Sequence, residues 1–171
     1  MKIYRQIILA LSLTTIINFS YCQTKWKSDR YGYTIEIPLN FSTSSAVGKN
    51  VDFKANKGSS SIVIVVNTLS SAYTNNTIWD LIGDLSTFGD DWENGAKEYM
   101  SNPQYIKGGK TTINGMESFW YDYKTDNPSL YSKVYQIKNK LLLYTFTLSC
   151  PTAEQSDYSA VWLRFKDSIL L

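Results

Sequence analysis

Ile62-Val63-Ile64-Val65-Val66 is a run of five β-branched aliphatic residues with no polar side to offer water. A strand of this kind needs apolar cover on both faces, which favours a sheet sandwiched between helices. Towards the N-terminus, Val51 to Lys54 reads as a partner strand, joined through a turn at Ala55-Asn56-Lys57-Gly58 to a strand over 59–69. The short, turn-rich spacing makes this a hairpin. Further upstream, Tyr31, Tyr33, Ile35 and Ile37 alternate with Gly32, Thr34 and Glu36, so 31–37 is predicted to be a half-buried strand stopped by Pro38. Trp26 to Arg30 reads as a polar lead-in, and 42–50 as a loop.

Towards the C-terminus the pattern turns helical. Asn76 is the expected N-cap of a helix that places Ile78, Leu81, Ile82, Leu85 and Phe88 on one face, with Gly89 as its stop. A second helix or turn over 90–100 carries Trp92, Ala96 and Tyr99 and ends at Asn102-Pro103. Strands resume at Tyr105, with a bend or bulge expected at Gly108-Gly109. Asn114-Gly115 is a type I′ hairpin signal, followed by an arm in which Phe119, Tyr121 and Tyr123 oppose Trp120, Asp122 and Lys124. Two more strands, 131–138 and 141–150, meet at Asn139. Thr152 with Gln155 has the form of a capping box for a last helix whose stripe is Tyr158, Val161, Trp162, Phe165 and Ile169. Hairpins flanked by two helical regions predict an α+β fold, an α/β/α sandwich with a central antiparallel sheet.

The N-terminus has a different character. Lys2 and Arg5 precede 13 uncharged residues, 7–19, and Ser20 and Cys22 are small residues placed as signal peptidase reads them. Residues 1–22 are therefore expected to be a signal peptide cleaved between Cys22 and Gln23, with 23–171 as a single exported domain, periplasmic or secreted. The uncharged run is shorter than the roughly 20 residues of a membrane span, so no transmembrane span is expected after cleavage. Lipidation of Cys22 is the lesser alternative, since Phe19 and the bulky Tyr21 depart from a lipoprotein signal. Residues 23–171 carry 15 basic and 15 acidic side chains. A balanced charge without a Lys/Arg cluster gives no support to electrostatic binding to nucleic acid or to an anionic membrane.

Chemistry-bearing groups are sparse. The chain has no histidine, so a serine or cysteine triad in its usual form is excluded. Cys150, the one cysteine beyond Cys22, reads as a small buried hydrophobe at a strand end. The acidic stretch 80–98 lacks the EF-hand register, with Trp92 where a ligand would be needed, so no metal and no cofactor is expected. Aromatic side chains are the conspicuous resource, 22 of them in 23–171. Trp120 with Tyr105, Tyr131 and Tyr135 is the candidate interaction surface for a protein partner or a glycan, set against ordinary packing between sheet and helix.

Three pieces in order carry a family resemblance. Tyr31-Gly-Tyr-Thr-Ile-Glu-Ile-Pro-Leu-Asn-Phe41 resembles the opening of the PsbP-like family. Lys107-Gly-Gly-Lys-Thr-Thr-Ile-Asn-Gly115 with the aromatic strand after it, and the close Phe165-Lys-Asp-Ser-Ile169, resemble its middle hairpin and C-terminal segment. The resemblance spans 26–171 and implies an antiparallel sheet between helices. Its members include a photosystem II extrinsic subunit, a Ran-binding protein and many exported bacterial proteins. It therefore implies a non-enzymatic accessory domain that binds or helps assemble another protein of the cell envelope. Metal sites in the photosynthetic branch use histidine, so no metal ligand is implied here. A small-ligand or glycan module is the alternative, and a hydrolase without histidine the least supported reading.

Overall fold

Seven strands form one antiparallel sheet in the computed structural model, which describes residues 24–171. The expected signal peptide, with Cys22 and Gln23, lies outside the described residues. The strands are β3 (Ser42–Thr43), β4 (Val51–Lys57), β5 (Ser60–Thr68), β6 (Gln104–Ile113), β7 (Met116–Asp126), β8 (Ser129–Asn139) and β9 (Leu142–Pro151). Their order across the sheet is β3-β4-β5-β9-β8-β7-β6. A separate two-stranded ribbon joins β1 (Thr24–Lys27) to β2 (Thr34–Ile37). Three helices complete the fold: α1 (Ile78–Ile82), α2 (Leu85–Ala96) and α3 (Gln155–Ser168).

The two faces of the sheet support separate cores. On one, Ile62, Ile64 and Val66 of β5 join Tyr144, Phe146 and Leu148 of β9. Against them pack Tyr33, Ile35 and Ile37 of β2 and Trp162 and Phe165 of α3. Each such side chain taken fully out of water contributes about 1.5–3 kcal/mol. On the other face Phe119, Tyr121 and Tyr123 of β7 lie with Ile78, Phe88 and Trp92 of α1 and α2. The antiparallel sandwich expected from the hairpins and helical stripes is the one observed.

The β5 run itself is covered less completely than its composition demands. Val63 and Val65 are half-buried, because α1 and α2 lie over the β6–β8 half of the sheet and leave this half open. Their cross-strand neighbours are Lys54 and Thr147 for Val63, and Val51 and Thr145 for Val65. Lysine stems and threonine methyls shield the valines on that face.

Several local expectations are corrected. Trp26 belongs to β1 rather than to a lead-in. The β4–β5 turn falls at Gly58-Ser59, two residues later than expected, where Gly58 supplies a φ of 56°. Thr77, not Asn76, caps α1, in a capping box with Asp80. The helix expected over 78–88 breaks at Gly83, φ 73°, and restarts under an Asp84 cap. Gly89 does not stop α2 but lies inside it. Tyr99 is 82% exposed rather than packed. The β6 bulge sits between Tyr105 and Lys107, ahead of the glycine pair. Thr152 opens a short 3-10 turn without capping α3, whose start has no side-chain cap hydrogen bond.

Candidate functional site

The β7–β8 register decides what can meet on the α3 side of the sheet. Asp122 stands opposite Lys133, Trp120 opposite Tyr135, and Lys124 opposite Tyr131. Side chains alternate between faces along a strand, so Trp120, Asp122, Tyr131, Lys133 and Tyr135 share one face, and the β6 pairing of Lys107 with Asp122 adds Lys107 to it. Helix α3 packs against β2, β8 and β9. Beyond it, along the β6–β7 margin, Lys107 is exposed and Gly109 and Trp120 are half-buried, and these residues form a shelf.

The shelf is built on a buried charge. Asp122 is 1% exposed. Its Oδ1 accepts from the Lys133 ammonium at 2.5 Å and its Oδ2 from the Tyr131 hydroxyl at 2.5 Å. Both carboxylate oxygens are thus satisfied by short charge-assisted or hydroxyl donors, the condition under which a desolvated carboxylate is tolerated. Burial pushes the Tyr131 phenol well above its usual range, and the Asp122 carboxylate raises it further. The same Lys133 nitrogen lies 4.4 Å from the centre of the Trp120 ring, and the exposed Lys107 ammonium lies 6.0 Å from it. Both are cation–π distances. Gly109, paired with Trp120, leaves the indole nitrogen only an ordinary contact from where a side chain would begin.

Next to this floor lies a cleft of about 390 Å³ between β8 and the start of α3. Tyr131, Lys133, Thr152, Gln155, Ser156 and Ser159 are among its lining residues. Six of its seven lining side chains carry a hydroxyl, amide or ammonium group, which suits hydrogen bonding to a polar surface. Among the described residues no cluster of three or more His, Cys, Asp or Glu side chains is placed to hold a metal ion.

The four aromatic residues singled out from sequence are distributed as follows. Trp120 is half-buried at the shelf; Tyr131 and Tyr135 share its face but are buried within the α3-side core. Tyr105 lies on the opposite face, edge-on to Phe88 at 5.7 Å. Burial raises its phenol pKa, with the Asp122 carboxylate contributing. Sequence reasoning missed Lys133 and Lys107. The available signal was Asp122, a lone carboxylate in the aromatic arm 119–123, which calls for a cation across the ladder. Cys150 is buried, and that burial, assisted by the Glu154 carboxylate, pushes its thiol up to about 11.

No family model matches the chain, and a search of curated proteins returns no match. Solved structures do match. The solution structure of cyanobacterial PsbP (CyanoP) from Synechocystis aligns with a TM-score of 0.69 at 14% identity, over 87% of this chain and 92% of that one. LpqN of Mycobacterium tuberculosis, described as involved in cell envelope biogenesis, aligns at 0.55 and 8% identity over 86% and 88% of the two chains. A Pseudomonas aeruginosa protein of unknown function aligns at 0.51 and 14% identity over 87% and 96%. At these identities the likeness is one of architecture. Residues 24–171 accordingly have the PsbP-like fold, the antiparallel sheet between helical layers that the sequence pieces resembled.

Proposed function

We propose that the chain is an exported, non-enzymatic accessory domain that binds another protein of the cell envelope through the Trp120 shelf. The observation that carries this reading is the rigid, already neutralised floor. Asp122 is buried and held by two donors, so both of its carboxylate oxygens are occupied within the fold. Beside it Trp120 and Lys107 present a half-buried ring and an exposed cation. Aromatic residues are enriched at protein interfaces, and polar, solvent-accessible side chains form their rim. The PsbP-like fold supports the reading, as does the envelope role ascribed to LpqN.

A photo-crosslinking amino acid placed at Gln104, the exposed first residue of β6, and used in envelope extracts, tests it. The expected result is one dominant adduct that disappears with Trp120→Ala and is absent when the crosslinker is moved to Lys49, in the loop before β4. Equal labelling from both positions, or an adduct indifferent to Trp120→Ala, sinks the reading.

The polar cleft favours a second reading, a small-ligand or glycan module. Its expected signature is a thermal shift on a glycan panel that Ser156→Ala or Ser159→Ala diminishes. A panel without any shift removes it.

A further inference from the structure

The two edges of the sheet are unequal. One ends in the two-residue β3, whereas the other is β6, ten residues from Gln104 to Ile113. An edge strand presents alternate N–H and C=O groups to solvent. Among the described residues, β6 makes no backbone hydrogen bond outside its ladder with β7. One of its amides is nevertheless occupied. The Tyr105 N–H donates to Glu93 Oε1 of α2 at 2.7 Å, so a carboxylate oxygen stands where the carbonyl of a neighbouring strand would stand.

The charges that β6 itself carries have one sign. Residues 104–113 contain Lys107 and Lys110 and no acid. Lys107 lies over Trp120 on the α3 side, and Lys110 lies over Trp79, 5.0 Å from its ring, on the α1 side. Both are exposed, and Ile106 at the bulge is 41% exposed. A second copy of this chain paired antiparallel on the same edge would bring lysines against lysines, a standard guard against self-association. An acidic strand meets the opposite situation, with one cation available on each face.

We infer that the β6 edge receives an extended acidic segment of a partner protein as an added strand. This rests on the proposal that the domain binds another protein, and gives that proposal a geometry. The segment carries two carboxylates three positions apart, so that one meets Lys107 on one face and the other Lys110 on the opposite face. Its backbone carbonyl takes the Tyr105 N–H and displaces Glu93. Main-chain pairing supplies the affinity, and the two lysines supply the selection.

The probe is a capped peptide of about eight residues, alternating threonine and valine with two glutamates three apart, beside a version with lysines in those places. The length follows from the reach of an added strand along β6. In isotope-labelled protein the glutamate peptide is expected to slow hydrogen exchange of outward amides in 104–113. It should bind about tenfold more tightly than the lysine peptide, the combined scale of two cross-strand charge pairs. Lys107→Glu with Lys110→Glu should reverse that order, and Glu93→Ala should tighten binding by freeing the Tyr105 amide. Unchanged near-ultraviolet circular dichroism certifies that each variant is folded. No binding by the glutamate peptide, protection confined to other segments, equal affinity for the two peptides, or self-association through β6 overturns strand addition. If the Gln104 crosslinker captures its Trp120-dependent partner while the peptide fails, strand addition alone is lost. Absence of that adduct removes the partner reading itself.

Discussion

Lys133 reaches across the β7–β8 ladder to Asp122 at 2.5 Å, joining a carboxylate that is 1% exposed to an ammonium whose side chain is 20% exposed. The pair is asymmetric, because Lys133 can turn to water and Asp122 cannot. Lys133→Met should therefore cost about 3 kcal/mol, the lower end for breaking a buried pair. Combining it with Asp122→Asn should recover a large part of that loss. Urea unfolding of the two single variants and the double variant measures the coupling, and strictly additive losses would contradict it.

Alkaline pH should loosen the fold through its tyrosines. Burial raises the phenols of Tyr33, Tyr121, Tyr131 and Tyr135 above the ordinary value, with nearby Asp122 adding to it at Tyr131 and Tyr135. In the unfolded chain these groups ionise near pH 10. Their contribution is thus complete below about pH 10 and lost as pH rises further. Phenolate absorbance from these buried rings should appear together with loss of near-ultraviolet circular dichroism; ionisation of all tyrosines in a chain that stays folded would refute this.

Cys150 should be inert in the native protein. With its thiol raised to about 11, it holds about a hundredfold less thiolate at pH 8 than an unfolded cysteine near 9. Burial also blocks access. A chromogenic disulfide reagent is expected to label it at the rate of unfolding, and fast labelling without denaturant would show an open thiol. The same raised value means that its contribution to stability is complete below about pH 9 and fades as pH rises through about 11.

Gly89→Ala tests the approach of α2 to the sheet. An alanine usually stabilises a helix interior by up to about 1 kcal/mol relative to glycine. Here the new Cβ would lie 2.7 Å from Cδ1 of the Tyr105 ring. The clash should win, giving a net destabilisation of about 1–2 kcal/mol. Gly95→Ala, in the same helix with no atom within 4 Å of the added carbon, should be neutral or stabilising. Thermal melts of the two variants moving in the same direction would refute the steric account.

That glycine also shows where sequence reasoning stops. Periodicity identified the strands and helical stripes, because apolar spacing reports which face meets a core. It does not report distance between elements, so Gly89 read as a stop when it is a point of close approach. The Asn114-Gly115 turn was legible because its chemistry is local, and both residues have positive φ, 48° and 80°. The shelf was legible only in part. Trp120 and Asp122 were visible as neighbours on one face, but Lys133 joins them through a register that no single strand encodes. Tyr105 was grouped with Trp120 although the sheet separates them. The bulge at Ile106 further alters the pairing along β6 between Tyr105 and Lys107.

The β1–β2 ribbon has a consequence for how the chain is made. Thr34 and Leu170 exchange backbone hydrogen bonds of 2.8 and 3.0 Å, and the Glu36 N–H donates to Ser168 Oγ across 132 positions. Tyr33, Ile35 and Ile37 enter the core beside these contacts. A molecule still emerging from a ribosome or threading through a narrow pore lacks the residues that fasten them. Residues 168–170 thus work as a latch, and the ribbon is fastened only after they have been delivered.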